Sequence, residues 1–303
     1  MKDVIIIGSG PAGLTASIYA SRYKLSNLVI GGLLGGTITY AHRVDNFPGV
    51  AGISGFELSQ KMAAQVKSLG VEILGENVTS IVKDGDTFKV VTESEKEFFS
   101  KTIILTTGTK RRKLNIPGEE QYLGKGVSYC TTCDAPFFKD KIVVLIGGSN
   151  AACSGAIHLA EFAKKIYLIY RKSALRAEPV WVEEIKNNPK IEVIYETNLI
   201  EIIGGTNVEK VILDKPLNGQ SELVVQGVFV EIGGVPSSLL ADQLKIEKDQ
   251  EGYIKVSPEM ETNIKGVFAA GDVTDRSLVL SQAITACAQG AIAANSAFEQ
   301  LKS

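Results

Sequence analysis

The chain has 303 residues, 45% of them apolar and 22% charged, with a formal net charge of −2 at pH 7. That length allows two domains, and the charge balance gives no global attraction to nucleic acid or to an anionic membrane. No apolar run approaches the ~20 residues of a membrane span, the start lacks the basic–apolar–small order of a secretory signal, and four cysteines are too few for a disulfide scaffold; a cytoplasmic location is expected.

The chain opens on an apolar strand, Asp3 to Ile7, followed by Gly8-Ser9-Gly10-Pro11-Ala12-Gly13 and a helical stretch rich in small residues. Gly-x-Gly-x-x-Gly alone is a weak signal in a chain with 30 glycines. A buried strand before it and a helix after it make it a phosphate loop. The first glycine allows the turn, the second lets backbone approach a pyrophosphate, and the third lets helix and strand pack closely. The helix N-terminus then offers free N–H groups to the phosphates. The alternative is a tight turn without a ligand. The next strand, Asn27 to Ile30, runs into Gly31-Gly32-Leu33-Leu34-Gly35-Gly36, so the carboxylate that usually binds ribose hydroxyls after this strand is missing. Glu72 to Leu105, with a turn at Lys83-Asp84-Gly85-Asp86, reads as antiparallel strands.

Cys130-Thr131-Thr132-Cys133 comes next, followed by Asp134. Two thiols at this spacing can close a small disulfide ring, and Asp134 puts an acid beside a departing thiolate. A zinc site needs four ligands, whereas Cys153 and Cys287 are single, distant and set in apolar helical stretches. His42, in a loop, and His158, on a helix, show no ligand spacing, so no metal is expected. A purely structural bridge stays open. From Lys141 the grammar of the first unit repeats: an apolar strand, Gly147-Gly148-Ser149-Asn150-Ala151-Ala152, a helix, and a strand from Lys165 to Ile169. Three cations and no acid follow, in Tyr170-Arg171-Lys172-Ser173-Ala174-Leu175-Arg176; this suits a 2′-phosphate better than a free hydroxyl. The alternative is a solvated basic turn. Ile191 to Glu231 again reads as antiparallel strands, with turns at Gly204-Gly205 and Asn218-Gly219. The final strand, ending at Gly271-Asp272, and a helix from about Gln282 to Leu301 carry no glycine loop and complete the first unit. The second unit is then an insertion, entered near Lys113–Gly118 and left near Gly233–Ser237.

Together these residues resemble the low-molecular-weight thioredoxin reductases of the pyridine nucleotide–disulfide oxidoreductase superfamily, over nearly the whole chain. The resemblance implies an α/β fold of two Rossmann-like, three-layer ββα nucleotide-binding domains. Residues 1–114 and 238–303 would bind FAD; the inserted 115–237 would carry the NAD(P)H site and the cysteine pair. FAD contacts are implied at Gly8, Gly10, Pro11, Ala12, Gly13, Gly35, Gly36, Thr37, Asn46, Val78, Gly108, Gly271, Asp272, Gln282 and Ala283. NADPH contacts are implied at Gly147, Gly148, Ser149, Asn150, Ala151, Arg171, Lys172 and Arg176. Cys133 would exchange electrons with the flavin, Cys130 would attack the partner disulfide, and Asp134 would be the general acid/base. Thioredoxin or a similar small protein would be the partner, a homodimer the assembly, and domain rotation about the two crossings part of the cycle. The second loop departs from the family pattern at Ser149 and at Cys153-Ser154-Gly155, and Tyr170 replaces a histidine, so ferredoxin is a second possible donor. A redox-sensing flavoprotein without turnover is a reading of another class.

Overall fold

The computed structural model describes residues 1–302. The chain divides into two compact units. Met1–Thr39, Arg43–Lys110 and the chain from Val235 onward form the first; Tyr40–His42 and Arg111–Gly234 form the second.

The first unit begins with β1 (Lys2–Ile7), whose last four side chains are all buried. Helix α1 (Pro11–Arg22) starts on a proline at its first position, where the missing N–H costs nothing. β2 (Asn27–Ile30) is fully buried. Helix α2 (Gly55–Ser68) opens with a reciprocal Ser54–Glu57 cap. β3 (Ile73–Leu74), β4 (Val78–Asp84), β5 (Thr87–Thr92), β6 (Glu97–Leu105) and β7 (Thr109–Arg111) follow. β3, β2, β1 and β6 lie side by side and parallel. β6 serves two partners along its free edge. Its start, Glu97–Ser100, pairs antiparallel with β5, and its end is left for a strand that comes much later.

The second unit contains β8 (Val127–Ser128), α3 (Thr131–Asp134), β9 (Ile142–Ile146), α4 (Asn150–Phe162), β10 (Lys165–Tyr170), α5 (Pro179–Asn187), β11 (Ile191–Tyr195), β12 (Leu199–Gly204), β13 (Val208–Leu217), β14 (Gln220–Val224) and β15 (Gly227–Val230). A parallel sheet runs β11-β10-β9-β15-β8, and β12-β13-β14 form a separate antiparallel sheet. The continuous apolar run of β9 is explained by burial on both faces. Val143 and Leu145 pack towards α4 and α5, beside Leu159 and Ile185. Val144 and Ile146 pack towards the small sheet, beside Leu199, Ile202 and Val211. The three layers are helices, parallel sheet and antiparallel sheet. Asn218 and Gly219 both take positive φ (52° and 83°), as the two-residue turn between β13 and β14 requires.

The returning chain adds β16 (Gly234–Pro236), which pairs with β7, then α6 (Leu239–Gln243), β17 (Val267–Ala269) and α7 (Ala283–Lys302). β17 pairs parallel with Ile103–Leu105, the stretch of β6 that β5 leaves open. Thus the last strand completes the first sheet. No helix among the described residues is long and apolar enough to cross a membrane.

The antiparallel expectation for Glu72–Leu105 and Ile191–Glu231 needs correction. β3, the end of β6, β11 and β15 are parallel strands; only β4–β5–β6 (start) and β12–β14 are antiparallel. Short strands that join a parallel sheet carry the same composition as hairpin strands, and periodicity does not separate them.

Candidate functional site

The first loop can be read glycine by glycine from what a side chain would meet. Gly8 has φ +117°, and a Cβ there would lie 2.1 Å from the carbonyl oxygen of Thr106. A Cβ on Gly13 would lie 1.9 Å from the Gly8 carbonyl oxygen. Both glycines are demanded by the chain's own packing. Gly10 is not: it takes an ordinary extended conformation (φ −79°, ψ −176°) at the cap of α1, and its Cβ would meet nothing closer than 3.8 Å. The space in front of Gly10 is therefore free for a ligand, at a helix N-terminus that accepts phosphate.

Further glycines converge on that space. Ser9 Oγ donates to the carbonyls of Gly31 (3.3 Å) and Leu33 (2.9 Å), and Gly35 N donates to Ser9 O (2.8 Å). The backbone after β2 is thereby stapled to the loop. Gly36 (φ +62°) comes within van der Waals reach of Gly10: its Cβ would stand 3.1 Å from the Gly10 Cα. Thr37 follows on an exposed turn. Asn46 Nδ2 donates to Gln282 Oε1 (3.1 Å), which brings the 45–49 segment to the start of α7, where Ala283 is the first helical residue. Gly271 (φ +79°) lies against Ala12, its Cβ position 2.9 Å from the alanine methyl. Its N–H donates to Gln289 Oε1 (2.8 Å). The neighbouring Asp272 is held above the usual carboxylate range by burial. Helix α7 crosses α1 at Gly290, whose Cβ would lie 2.1 Å from the Ala12 carbonyl oxygen. Gly108 (φ +60°) is farther along, its carbonyl accepting from Ser237 N (2.9 Å). Val78 starts β4 beside Asn77, whose side chain fills the space in front of Gly32. Pro11, Ala12 and the three loop glycines thus share one surface with Gly35, Gly36 and Gly271. Ser9, Thr106, Gln289 and Gly290 build it without having been expected. Of these, a glycine inside a helix was the only visible signal.

The second loop has the same backbone course. Gly147 (φ +147°) would put a Cβ 2.3 Å from the Glu231 carbonyl oxygen, so it repeats Gly8. Ser149 caps α4 at φ −94° and ψ 179°, so it repeats Gly10 but carries a side chain. The ring of Tyr170 covers Gly148, 2.5 Å from where a Cβ would sit. Asn150 is tied on both sides to Glu178, donating to its carboxylate (3.0 Å) and accepting from its N–H (2.7 Å). Ala151 is exposed at the first turn of α4. Arg176 N donates to the Gly148 carbonyl (2.8 Å), folding the basic segment back on the loop. Arg171, Lys172 and Arg176 are exposed there, and none forms an ion pair among the described residues. The cations and the helix N-terminus fit the phosphates of NADPH; Ser149 narrows the pyrophosphate approach.

Glu231, next to this loop, is raised to about 7 because burial outweighs its Arg111 partner (3.1 Å). An acid raised in the folded state binds a proton that the unfolded chain has lost, so its contribution is present below the unfolded value of 4.5 and is lost as pH rises through about 7. Glu231→Gln is expected to match wild type in stability at pH 5 and to exceed it at pH 8 by on the order of 2 kcal/mol, read as a higher melting temperature. Equal melting temperatures at pH 8 would refute the buried charge.

The cysteine pair is closed as a disulfide, with Cα atoms 5.3 Å apart. Cys130 is half-buried and caps α3; Cys133 is exposed on it. Cys130 N donates to Ser128 Oγ (3.0 Å), and Cys133 N donates to Cys130 Sγ (3.1 Å). That N–H would stabilise negative charge on Cys130 once the bridge opens. Thr132 Oγ1 donates to the Tyr40 carbonyl (2.7 Å). Gly155 lets α4 approach α3: its Cβ would stand 3.0 Å from the Thr131 methyl. Asp134 follows at the end of α3, half-buried. Cys153 is fully buried and its thiol is pushed up to about 11 by burial. Burial raises Cys287 as well. Neither is poised to react.

Comparison with known proteins gives a consistent picture. Residues 2–290 match the family model for pyridine nucleotide-disulphide oxidoreductases. A thioredoxin reductase of Treponema pallidum is 42% identical over 97% of this chain and 95% of its own. The solved Lactococcus lactis thioredoxin reductase in its FR conformation is 37% identical, with a TM-score of 0.95 over 100% of this chain and 99% of that one. A ferredoxin-flavin thioredoxin reductase of Clostridium acetobutylicum is 34% identical, with a TM-score of 0.53 over 99% of this chain and 98% of that one.

Proposed function

The chain belongs to the pyridine nucleotide-disulphide oxidoreductase family, and we propose how its residues divide the work of a thioredoxin-disulfide reductase. The activity is the FAD-dependent reduction of the thioredoxin disulfide at the expense of NADPH. When bound, FAD supplies a two-electron carrier and NADPH the hydride. The single observation that carries the assignment is the closed Cys130–Cys133 pair on a chain that also builds a glycine surface that no protein side chain covers at Gly10.

The cradle Gly8–Gly13 with Gly35, Gly36, Asn46, Gln282 and Gly271 would hold the FAD diphosphate and orient the rest of the group; Asp272 would bind its ribityl chain. Opening the disulfide needs two electrons and leaves two thiols. Cys130, with the Cys133 N–H on its sulfur, holds the thiolate and attacks the thioredoxin disulfide. The mixed disulfide breaks when Cys133 attacks Cys130 Sγ, which returns the Cys130–Cys133 bridge and releases reduced thioredoxin. Asp134 protonates the departing thiolate. Insulin reduction through thioredoxin tests the activity; its absence with the flavin bound and reducible would leave only a sensing role.

For the donor, Arg171, Lys172 and Arg176 would recognise the 2′-phosphate of NADPH. Arg176→Ala is expected to raise KM for NADPH about tenfold and to leave kcat near wild type. An unchanged KM would remove that cluster from the site. The presence of ferredoxin-flavin relatives, together with Ser149 and the Tyr170 ring over Gly148, keeps ferredoxin as a second donor. Anaerobic NADPH that fails to bleach a dithionite-reducible flavin would select it. The assembly is proposed to be a cytoplasmic homodimer.

A further inference from the structure

Glu119 is a carboxylate with only 2% exposure, and three donors meet it. Leu114 N donates to its Oε1 (2.7 Å) and Asn115 N to its Oε2 (2.6 Å). The Tyr129 hydroxyl also donates to Oε1. Asn115 has φ +57°, and the left-handed turn there aims two successive N–H groups at one anion. Burial, then the Glu119 carboxylate, holds the Tyr129 phenol well above its ordinary value, so the proton stays on the tyrosine oxygen. Glu120, the adjacent acid, is exposed and pairs with Lys113 (2.5 Å).

Tyr129 directly precedes Cys130. It is half-buried and packs against the core cluster that contains Tyr122, Val127 and Val144. Ser128, buried on β8, accepts from Cys130 N (3.0 Å). The chain entering Cys130 is therefore held at two points, by Ser128 at the Cys130 peptide and by Glu119 at the tip of Tyr129. The Cys130 sulfur in turn receives the Cys133 N–H (3.1 Å), a contact that depends on where the Cys130 backbone is held. We propose that Tyr129, fixed by Glu119, is a positioning residue for Cys130: it keeps the backbone where the Cys133 N–H meets the sulfur and so favours the thiolate. This rests on the assignment of Cys130 as the attacking thiol. Hydrogen bonding to the charged form is what lowers a thiol's titration point. Loss of the tyrosine hydroxyl leaves a buried anion short of one donor and frees the ring from its anchor. Because Leu114 and Asn115 hold the same carboxylate, the segment by which the chain enters this unit takes part in placing the redox pair.

The test uses the flavin-loaded protein in a Cys133→Ser background, where Cys130 is the one thiol of the pair and residue 133 keeps its N–H. Alkylation of Cys130 by iodoacetamide is followed against pH by mass spectrometry of its peptide. Adding Tyr129→Phe is expected to raise the midpoint by about half a pH unit or more, and below the midpoint to slow alkylation about threefold, with flavin content unchanged. Tyr122→Phe is the control. It removes a hydroxyl bonded to the Gly204 carbonyl in the same cluster, so it should lower the melting temperature comparably and leave the midpoint where it is. Equal midpoints for Tyr129→Phe and its parent, or the same shift in Tyr122→Phe, would overturn the positioning role. A parent whose Cys130 resists alkylation at every pH would overturn the thiolate assignment and the role with it.

Discussion

Replacing Cys133 with Ser is expected to stop thioredoxin-coupled insulin reduction, by about a thousandfold or more, with the flavin still bound. The cradle is built from Gly8–Gly13, Gly35, Gly36 and Gly271, none of which this change touches. The Ser hydroxyl cannot close the bridge, so the electrons have no covalent route from flavin to partner. Cys130 keeps its place as cap of α3 and its Cys133 N–H contact, so it can still attack a disulfide. The variant should therefore trap thioredoxin as a stable mixed disulfide, because the resolving sulfur is gone. Measurement by non-reducing gel and by turnover separates the roles. Turnover near wild type would refute them, and trapping by Cys130→Ser instead of Cys133→Ser would exchange the two cysteines.

The second large effect contrasts two glycines three residues apart. Gly10→Ala is expected to fold with wild-type stability and to lose FAD, with affinity down about a hundredfold or more. No protein atom lies closer than 3.8 Å to the new methyl group, which would intrude on the space proposed for the phosphates. Gly13→Ala should behave in the opposite manner: its methyl would sit 1.9 Å from the Gly8 carbonyl oxygen, so helix and strand must part. A loss of about 3 kcal/mol or more in stability is expected, with flavin loss only as a consequence. Melting temperature and flavin-to-protein absorbance ratio, measured on both, distinguish the two. A Gly10→Ala protein that retains flavin would remove the pyrophosphate from this loop.

The two strand–glycine–helix units were legible because a buried strand, positive-φ glycines and a small-residue helix leave marks within twenty residues. The small-residue stretch after Gln282 likewise showed its helix, because Gly290 and the alanines of α7 have to fit against α1. The final strand and helix were assigned to the first unit because they carry no glycine loop of their own; β17 lies parallel to β6. Parallel β11 and β15 were misread, since their composition is that of a hairpin strand and only their partners set their direction. Ser9 left no mark, because its value lies in reaching Gly31 and Leu33. The stacking of His42 on His158 left none either, because it is made by tertiary packing alone.

The most direct test of the redox pair is its electron count. Anaerobic dithionite titration of the purified flavoprotein should consume about two electron pairs per chain, one for the flavin and one for the Cys130–Cys133 disulfide, and oxidised thioredoxin should then recover both. The Cys133→Ser protein should consume about one. A wild-type protein that stops at one pair, or a variant that still takes two, would contradict the route through this disulfide.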